Sequence, residues 1–289
     1  MNTSRVFMLA SDHRWQWEEW CDRHHVARTR ISEVKALVLD AFLEARERSS
    51  EVRRFGALLL DNQYAAGAMA GAIQRGIPVG APVERAGVFP LQWEREPFHA
   101  MSRGNSFVKV LVRYRPEWPE PDREGQWAKL LELQAWCREA AIPLLVEIII
   151  MKAGEDESEF EHRGRPSMLA GVIREAYRRG LVPAIWKIEG TASRDGAVAI
   201  DAAIGERPEP RQLILGKGAG PEAIASWFDA AAGLASTAGF AIGRSVFMEP
   251  GSEYLLGRQS TGATRDAIAA RYLQFVDGWC EREASTRAS

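Results

Sequence analysis

Eight short apolar runs alternate with segments of helical periodicity along this chain, and that alternation constrains the fold more than any other feature. The runs occupy residues 6–10, 56–61, 79–83, 107–114, 144–151, 183–190, 212–215 and 240–243. Each is short enough for a buried strand and bounded by turn-forming residues. Helical patterns fall between them at 15–26, 30–54, 65–75, 126–141, 168–179, 193–204 and 221–235, with a last one at 264–283 and a poor one at 94–101. In residues 30–54, Val34, Leu37, Val38, Ala41, Phe42 and Ala45 recur at helical spacing, with Ser32 as a plausible N-cap. The Pro-rich stretch 115–125 and the charged stretch 152–165 read as loops. Strands alternating with helices predict a parallel sheet, and eight of them predict closure into a (β/α)8 TIM barrel. An open doubly wound sheet is the runner-up. It would carry a phosphate-binding glycine fingerprint after the first strand, where this chain has Ser11-Asp12-His13-Arg14. No repeat or linker divides residues 1–289, so a single α/β domain is expected.

Composition limits what such a barrel could bind. A net charge of -2 gives no general attraction for nucleic acid or an anionic membrane, so any anion site must be built locally. Cys21, Cys137 and Cys280 are odd in number, far apart and without metal-ligand spacing, which predicts reduced thiols in a cytoplasmic protein and no metal or other cofactor. Ser11-Asp12-His13-Arg14 interrupts the first apolar run too early for a signal peptide, and no run approaches the roughly 20 apolar residues of a membrane span.

In a barrel the polar residues at the C-terminal ends of strands converge on one mouth. Here these are Asp12, Asp61, Lys109, Arg113, Glu147, Lys187, Glu189, Lys217 and Arg244. Strand alternation puts Ile185, Lys187 and Glu189 on one face and Trp186 and Ile188 on the other. It likewise separates Lys109 and Arg113 from Val108, Val110 and Val112. Glu147 interrupts the apolar strand Leu144–Ile150 and needs a cationic or hydrogen-bonding partner there. Strands four, five and six are neighbours in a barrel, so Lys109, Glu147 and Lys187 can meet. A structural ion pair between Glu147 and Lys109 is one outcome. The other is chemical: Lys187 attacks a ketone, Glu147 moves protons, and the imine accepts the electrons of a breaking carbon–carbon bond. Asp12 and Asp61 could instead cap the helices that follow them. Arg14, Asp61, Arg113 and Glu189 are further candidates for holding substrate.

Gly216-Lys217-Gly218-Ala219-Gly220-Pro221 follows strand seven and opens a helix, and Gly243-Arg244 follows strand eight. Glycines admit an oxyanion close to backbone N–H groups, barrels commonly bind phosphate at these two loops, and an arginine adds a forked contact. Gly216, Lys217, Gly218, Gly243 and Arg244 are therefore the expected phosphate site.

Five motifs then fall in order: Ala10-Ser11-Asp12-His13-Arg14, Val108-Lys109-Val110-Leu111, Val146-Glu147-Ile148, Trp186-Lys187-Ile188-Glu189-Gly190 and Phe240-Ala241-Ile242-Gly243-Arg244-Ser245. Together they make the chain resemble the 5-dehydro-2-deoxyphosphogluconate aldolase-like domain that is often fused to the sugar kinase of inositol catabolism. That family is related to tagatose-bisphosphate and sulfofructose-phosphate class I aldolases. The resemblance implies a barrel with Lys187 as the Schiff-base residue, Glu147 as proton shuttle, and Asp12 and Lys109 in support. It further implies that Gly218 and Arg244 contact a substrate phosphate. The expected activity is a class I aldolase releasing dihydroxyacetone phosphate and an aldehyde from a phosphorylated ketose or deoxy-keto-sugar acid. By resemblance, the leading substrate is 2-deoxy-5-keto-gluconate 6-phosphate. A kinase domain is not expected within residues 1–289, which makes a separate sugar kinase a candidate partner, and a homo-oligomer is also open. Two rivals remain at this level: a sugar-phosphate isomerase or epimerase with Glu147 as base, and a non-catalytic sugar-phosphate-binding partner of a kinase.

Overall fold

The computed structural model describes residues 3–102 and 104–288. Eight parallel strands close on themselves in sequence order: β1 (Val6–Ser11), β2 (Gly56–Leu60), β3 (Val79–Pro82), β4 (Phe107–Tyr114), β5 (Leu144–Ile150), β6 (Ile185–Glu189), β7 (Arg211–Leu215) and β8 (Thr237–Ile242), with β8 returning to β1. The helices are α1 (Trp15–His24), α2 (Ile31–Arg48), α3 (Ser50–Phe55), α4 (Ala66–Gln74), α5 (Glu120–Glu139), α6 (Glu157–Glu159), α7 (Arg165–Arg178), α8 (Arg194–Ile204), α9 (Pro221–Ala231), α10 (Arg244–Leu255) and α11 (Thr261–Ala288). This is the (β/α)8 barrel that the alternation of runs predicts.

Strand alternation sorts the side chains into two cores. Outward residues such as Val108, Val110, Val112, Trp186 and Ile188 pack under the helices. Inward residues fill the barrel, among them Met8, Leu59, Phe107, Leu145, Ile185 and Leu213. Gly80 makes room for this filling, because a Cβ there would stand 2.4 Å from the Phe107 ring. The long α11 lies against α2, and its Tyr272 hydroxyl donates to the Phe7 carbonyl at 2.7 Å, tying the last helix to the first strand. Among the described residues, no helix is long and apolar enough to cross a membrane.

The local departures from expectation have local causes. The helix expected over 30–54 is two helices, broken at Ser49, which turns extended and accepts a hydrogen bond from the Val52 N–H to start α3. Ser32 does not cap α2; its hydroxyl donates to the Thr29 carbonyl. α5 begins at Glu120, inside the expected Pro-rich loop, because Pro121 sits in the first turn, where no helical N–H is required. The 152–165 loop holds α6 and one π-helical turn, Phe160–Gly164. Only the short 3-10 segment Phe98–Ser102 forms where a poor helix was expected over 94–101. α10 was not foreseen, since Pro250 lies inside it.

Candidate functional site

The inward face of the barrel changes character along its axis. Phe107, Leu145 and Ile185 form an apolar layer. Two residues further along the same strands stand Lys109, Glu147 and Lys187, and two residues beyond Ala10 stands Asp12. Period-two alternation thus lifts a charged layer directly above an oily floor. The pairing Glu147↔Lys187 between β5 and β6 sets these two side by side.

Lys109 is the centre of that layer. Its Nζ lies 2.9 Å from Asp12 Oδ2, 2.8 Å from Glu84 Oε1 and 2.9 Å from Glu147 Oε2. The same Glu147 oxygen is 3.0 Å from Lys187 Nζ. All five groups are buried, and all line one mouth cavity of about 330 Å³. An ammonium has three N–H donors, and each of Lys109's has a carboxylate within reach. Burial disfavours its charge, but Asp12, Glu147 and Glu84 outweigh that and hold the Lys109 ammonium above its ordinary value. For Asp12, burial pushes the carboxyl up, while Lys109 foremost, then Lys187 and His13, hold it well below the usual carboxylate range. Burial depresses the His13 imidazole well below its ordinary value, against the pull of Asp12, so the ring is neutral at pH 7.

Gly216, Lys217, Gly218, Gly243 and Arg244 form the opposite wall of the cavity. Lys217 and Gly218 both take left-handed backbone, φ 51° and 80°, turning β7 sharply into α9. Gly243 lets the chain leave β8 beside β1, since a Cβ would lie 1.9 Å from the Ala10 carbonyl oxygen. Arg244 donates through Nη2 to the Lys217 carbonyl at 2.6 Å, and its buried Nε has no partner. Among the described residues it pairs with no carboxylate, so its charge remains available to an anion. Lys217 is differently employed: its Nζ lies 2.9 Å from Glu189 Oε1 and 3.6 Å from Glu161 Oε1.

The structure brings most of the sequence candidates together and removes two from the cavity. Asp61 does not reach the mouth. Its Oδ2 is 2.9 Å from the fully buried Lys35 Nζ, and its Oδ1 accepts from the Gln63 and Tyr64 N–H groups. Lys35 also donates to the Ser11 and His13 carbonyls, so this pair braces the segment that presents Asp12. Glu189 is likewise buried outside the cavity, between Lys217 and Arg165, whose Nη1 lies 3.6 Å away. Arg14 lines the cavity but is held by Glu94 at 3.1 Å and the Glu84 carbonyl at 3.1 Å. Arg113 lines the outer mouth, donating to the Gly87 carbonyl at 3.2 Å.

Sequence reasoning missed Glu84, His13 and Lys35. Glu84 follows the weakest strand, where Gly80 and Pro82 blur the alternation. Lys35 did carry a signal, since it falls on the helical stripe of Ile31, Val34, Val38 and Phe42 that packs inward.

No curated protein matches the sequence. Among solved structures, the chain is similar to the fructose-bisphosphate aldolase of Plasmodium falciparum in complex with TRAP and a small-molecule inhibitor. The TM-score is 0.65 at 12% identity, over 96% of this chain and 91% of that one. It is also similar to a Schiff-base-forming fructose-1,6-bisphosphate aldolase whose reaction intermediates were analysed, with TM-score 0.58 at 15% identity, over 95% and 94% of the two chains. At such identities the likeness establishes the barrel alone. Residues 1–283 match the model of the family described as uncharacterized protein conserved in bacteria (DUF2090), and the chain belongs to that family.

Proposed function

We propose that this protein is a class I, Schiff-base-forming aldolase acting in the cytoplasm on a phosphorylated ketose or deoxy-keto-sugar acid. The observation that carries the reading is the unequal pairing of two buried lysines around one carboxylate. Lys109 has three carboxyl groups within 2.9 Å and keeps its proton; among the described residues Lys187 has only the shared Glu147. Of the two, Lys187 is the lysine that can give up a proton and act as a nucleophile.

The steps follow from that difference. Neutral Lys187 Nζ adds to the ketone carbon, and the carbonyl oxygen becomes a hydroxyl. A proton delivered through Glu147, 3.0 Å away, lets that hydroxyl leave as water and form the protonated imine. The bond between the two carbons beyond the imine then breaks. Its electron pair moves into the imine to give an enamine, and the departing fragment becomes an aldehyde as its hydroxyl proton goes to a carboxylate. An acid protonates the enamine carbon, and water releases the ketone from Lys187. Lys109 stays positive throughout and fixes Asp12 and Glu147. Arg244 and the start of α10 would hold the substrate phosphate, with the Gly216–Gly218 turn approaching closely.

The motif resemblance favours 2-deoxy-5-keto-gluconate 6-phosphate, cleaved to dihydroxyacetone phosphate and malonate semialdehyde. Similarity to two aldolase structures supports a barrel suited to this chemistry. The test is borohydride reduction in the presence of dihydroxyacetone phosphate or, separately, pyruvate, followed by peptide mass spectrometry. The expected result is a reduced dihydroxyacetone phosphate adduct on Lys187. No adduct with either ketone would refute an imine mechanism and leave isomerisation or simple binding; an adduct with pyruvate alone would move the donor to another class.

A further inference from the structure

Glu84 has no role in the steps above, yet its placement is tightly specified. Its backbone bridges Trp93 in an antiparallel pair, and Arg14 donates to its carbonyl at 3.1 Å. Its carboxyl enters the cavity from beyond β3, on the far side of Lys109 from Glu147. Oε1 accepts from Lys109 at 2.8 Å, and Arg14 Nη2 stands 3.7 Å from the same oxygen. Oε2 is buried with no hydrogen-bond partner among the described residues. An ionised oxygen left in that condition loses its hydration with nothing in exchange.

A count of charges points to the same group. Asp12, Glu84 and Glu147 face Lys109, Lys187 and Arg14, and Arg14 is shared with Glu94 at 3.1 Å. Arg244 acts on Asp12 and Glu147 from across the cavity, whereas Glu84 has Lys109 and the shared Arg14, so Glu84 is the carboxyl best satisfied when neutral. Asp12 is held well below the usual carboxylate range by its lysines, although burial opposes them. Glu147 lies between Lys109 and Lys187, at 2.9 and 3.0 Å. Around Glu84 stand Lys109 of β4, and Arg14 and Asp12 from the end of β1. Burial pushes its carboxyl up, Lys109 and Arg14 offset this only in part, and Asp12 adds to the rise. Two carboxyls driven apart by their surroundings are a natural acid and base.

We propose that Glu84 is a second proton-handling carboxyl of this site, neutral in the resting protein, whose Oε2 proton goes to the enamine carbon. The inference rests on the aldolase reading. As the carbon–carbon bond breaks, the departing hydroxyl gives its proton to Glu147 and the electron pair forms the enamine. The enamine carbon then takes the Glu84 proton, restoring the imine and leaving a carboxylate. Lys109, in contact with both groups, relays the proton in one concerted exchange, receiving the Glu147 proton as its own passes to Glu84, so it remains an ammonium and no proton is gained or lost.

The test uses Glu84→Gln, which keeps an oxygen for Lys109, with dihydroxyacetone phosphate as the probe. Borohydride trapping on Lys187 should stay at the wild-type level. Exchange of solvent deuterium into the ketone's α-carbon should fall roughly 10²–10⁴-fold, the scale of a general acid. Wild-type exchange should rise with pH through the Glu84 pKa, because removal of the α-hydrogen from the imine needs the carboxylate, and this pH dependence should vanish from the variant's residual rate. In the resting protein labelled with ¹³C-glutamate, the infrared spectrum should show a protonated carboxyl band that Glu84→Gln lacks. A missing band, or wild-type exchange rates in the variant, overturns the role of Glu84 alone. Loss of trapping in the variant shows that Glu84 merely builds the Lys187 site. A wild type that traps nothing refutes the aldolase reading and the donor step with it.

Discussion

Replacing Lys109 by methionine removes one charge and little volume, and the surrounding distances set the size of the effect. Three buried carboxyl groups, at 2.8, 2.9 and 2.9 Å, lose their common ammonium partner at once. Contacts of this charged kind are worth about 1.5–3 kcal/mol each, but they share one ammonium and do not add. Breaking a buried ion pair by deleting one partner costs about 3–5 kcal/mol, and that is the expected loss at pH 7. At roughly 2–4 °C per kcal/mol the melting temperature should fall by about 6–20 °C. The pH dependence carries the sharper test. In the wild type the folded Asp12 carboxyl is depressed: burial raises it, but Lys109 and then Lys187 pull it well down. Its contribution is therefore present above the unfolded value of about 3.9 and is lost only as pH falls through the lower folded value. In Lys109→Met the carboxyls that faced Lys109 are buried without it, and their folded values rise above the unfolded ones. Their contribution is then present in acid and lost as pH rises, so the variant should be more stable at pH 5 than at pH 7.5. Denaturant titrations of both proteins across that range measure the difference. A loss under about 1 kcal/mol, or a deficit independent of pH, would show that Lys109 is not the counter-ion of the cluster.

Three further substitutions address the reaction. Lys187→Met should abolish both the borohydride adduct and cleavage while the protein still melts cooperatively; an adduct appearing on Lys109 would reverse the assignment of the two lysines. Glu147→Gln should lower turnover roughly 10²–10⁴-fold, measured with melting on the same preparation, whereas a purely structural ion pair predicts lost stability and near-normal turnover per folded molecule. Arg244→Ala should weaken a phosphorylated ligand by about 10- to 150-fold, from about 1.5–3 kcal/mol for a hydrogen bond to a charged group, and barely affect an unphosphorylated analogue. Equal weakening of both ligands in paired titrations would mean that Arg244 only supports the Lys217 carbonyl.

The barrel was legible because apolar strands and amphipathic helices leave different periods in a sequence. The central ion cluster was legible for a related reason: a charge inside an apolar strand, as at Glu147, demands a partner, and strand order names it. What failed to show depended on partners far apart in sequence. Asp61 sits at a strand end as the catalytic candidates do, but Lys35 claims it from α2 and makes it a brace. Glu189 shares the inward parity of Lys187 yet lies past the end of the barrel lining, where Arg165 and Lys217 reach it. Glu84 lies just past a short strand without clean alternation, and α10 is masked by its internal proline.

Those long-range partners also join the two halves of the site. Glu189 lies two residues beyond Lys187 on β6, and the next residue, Gly190, accepts from Arg165 at 2.8 Å through its carbonyl. Glu189 holds the Lys217 ammonium at 2.9 Å, and the carbonyl of the same Lys217 holds Arg244 at 2.6 Å. One continuous set of contacts thus runs from the strand that carries Lys187, the proposed nucleophile, to the Arg244 guanidinium, proposed to hold the phosphate. The left-handed backbone at Lys217 and Gly218 permits this, because the sharp turn directs the carbonyl of Lys217 toward Arg244 while its side chain reaches Glu189. On the proposed reading, Lys217 would fix the distance between the reacting group and the phosphate end of the substrate through these two contacts. That distance decides which carbon of a bound keto-sugar phosphate meets Lys187, so the contact between Glu189 and Lys217 bears on position of attack more than on affinity.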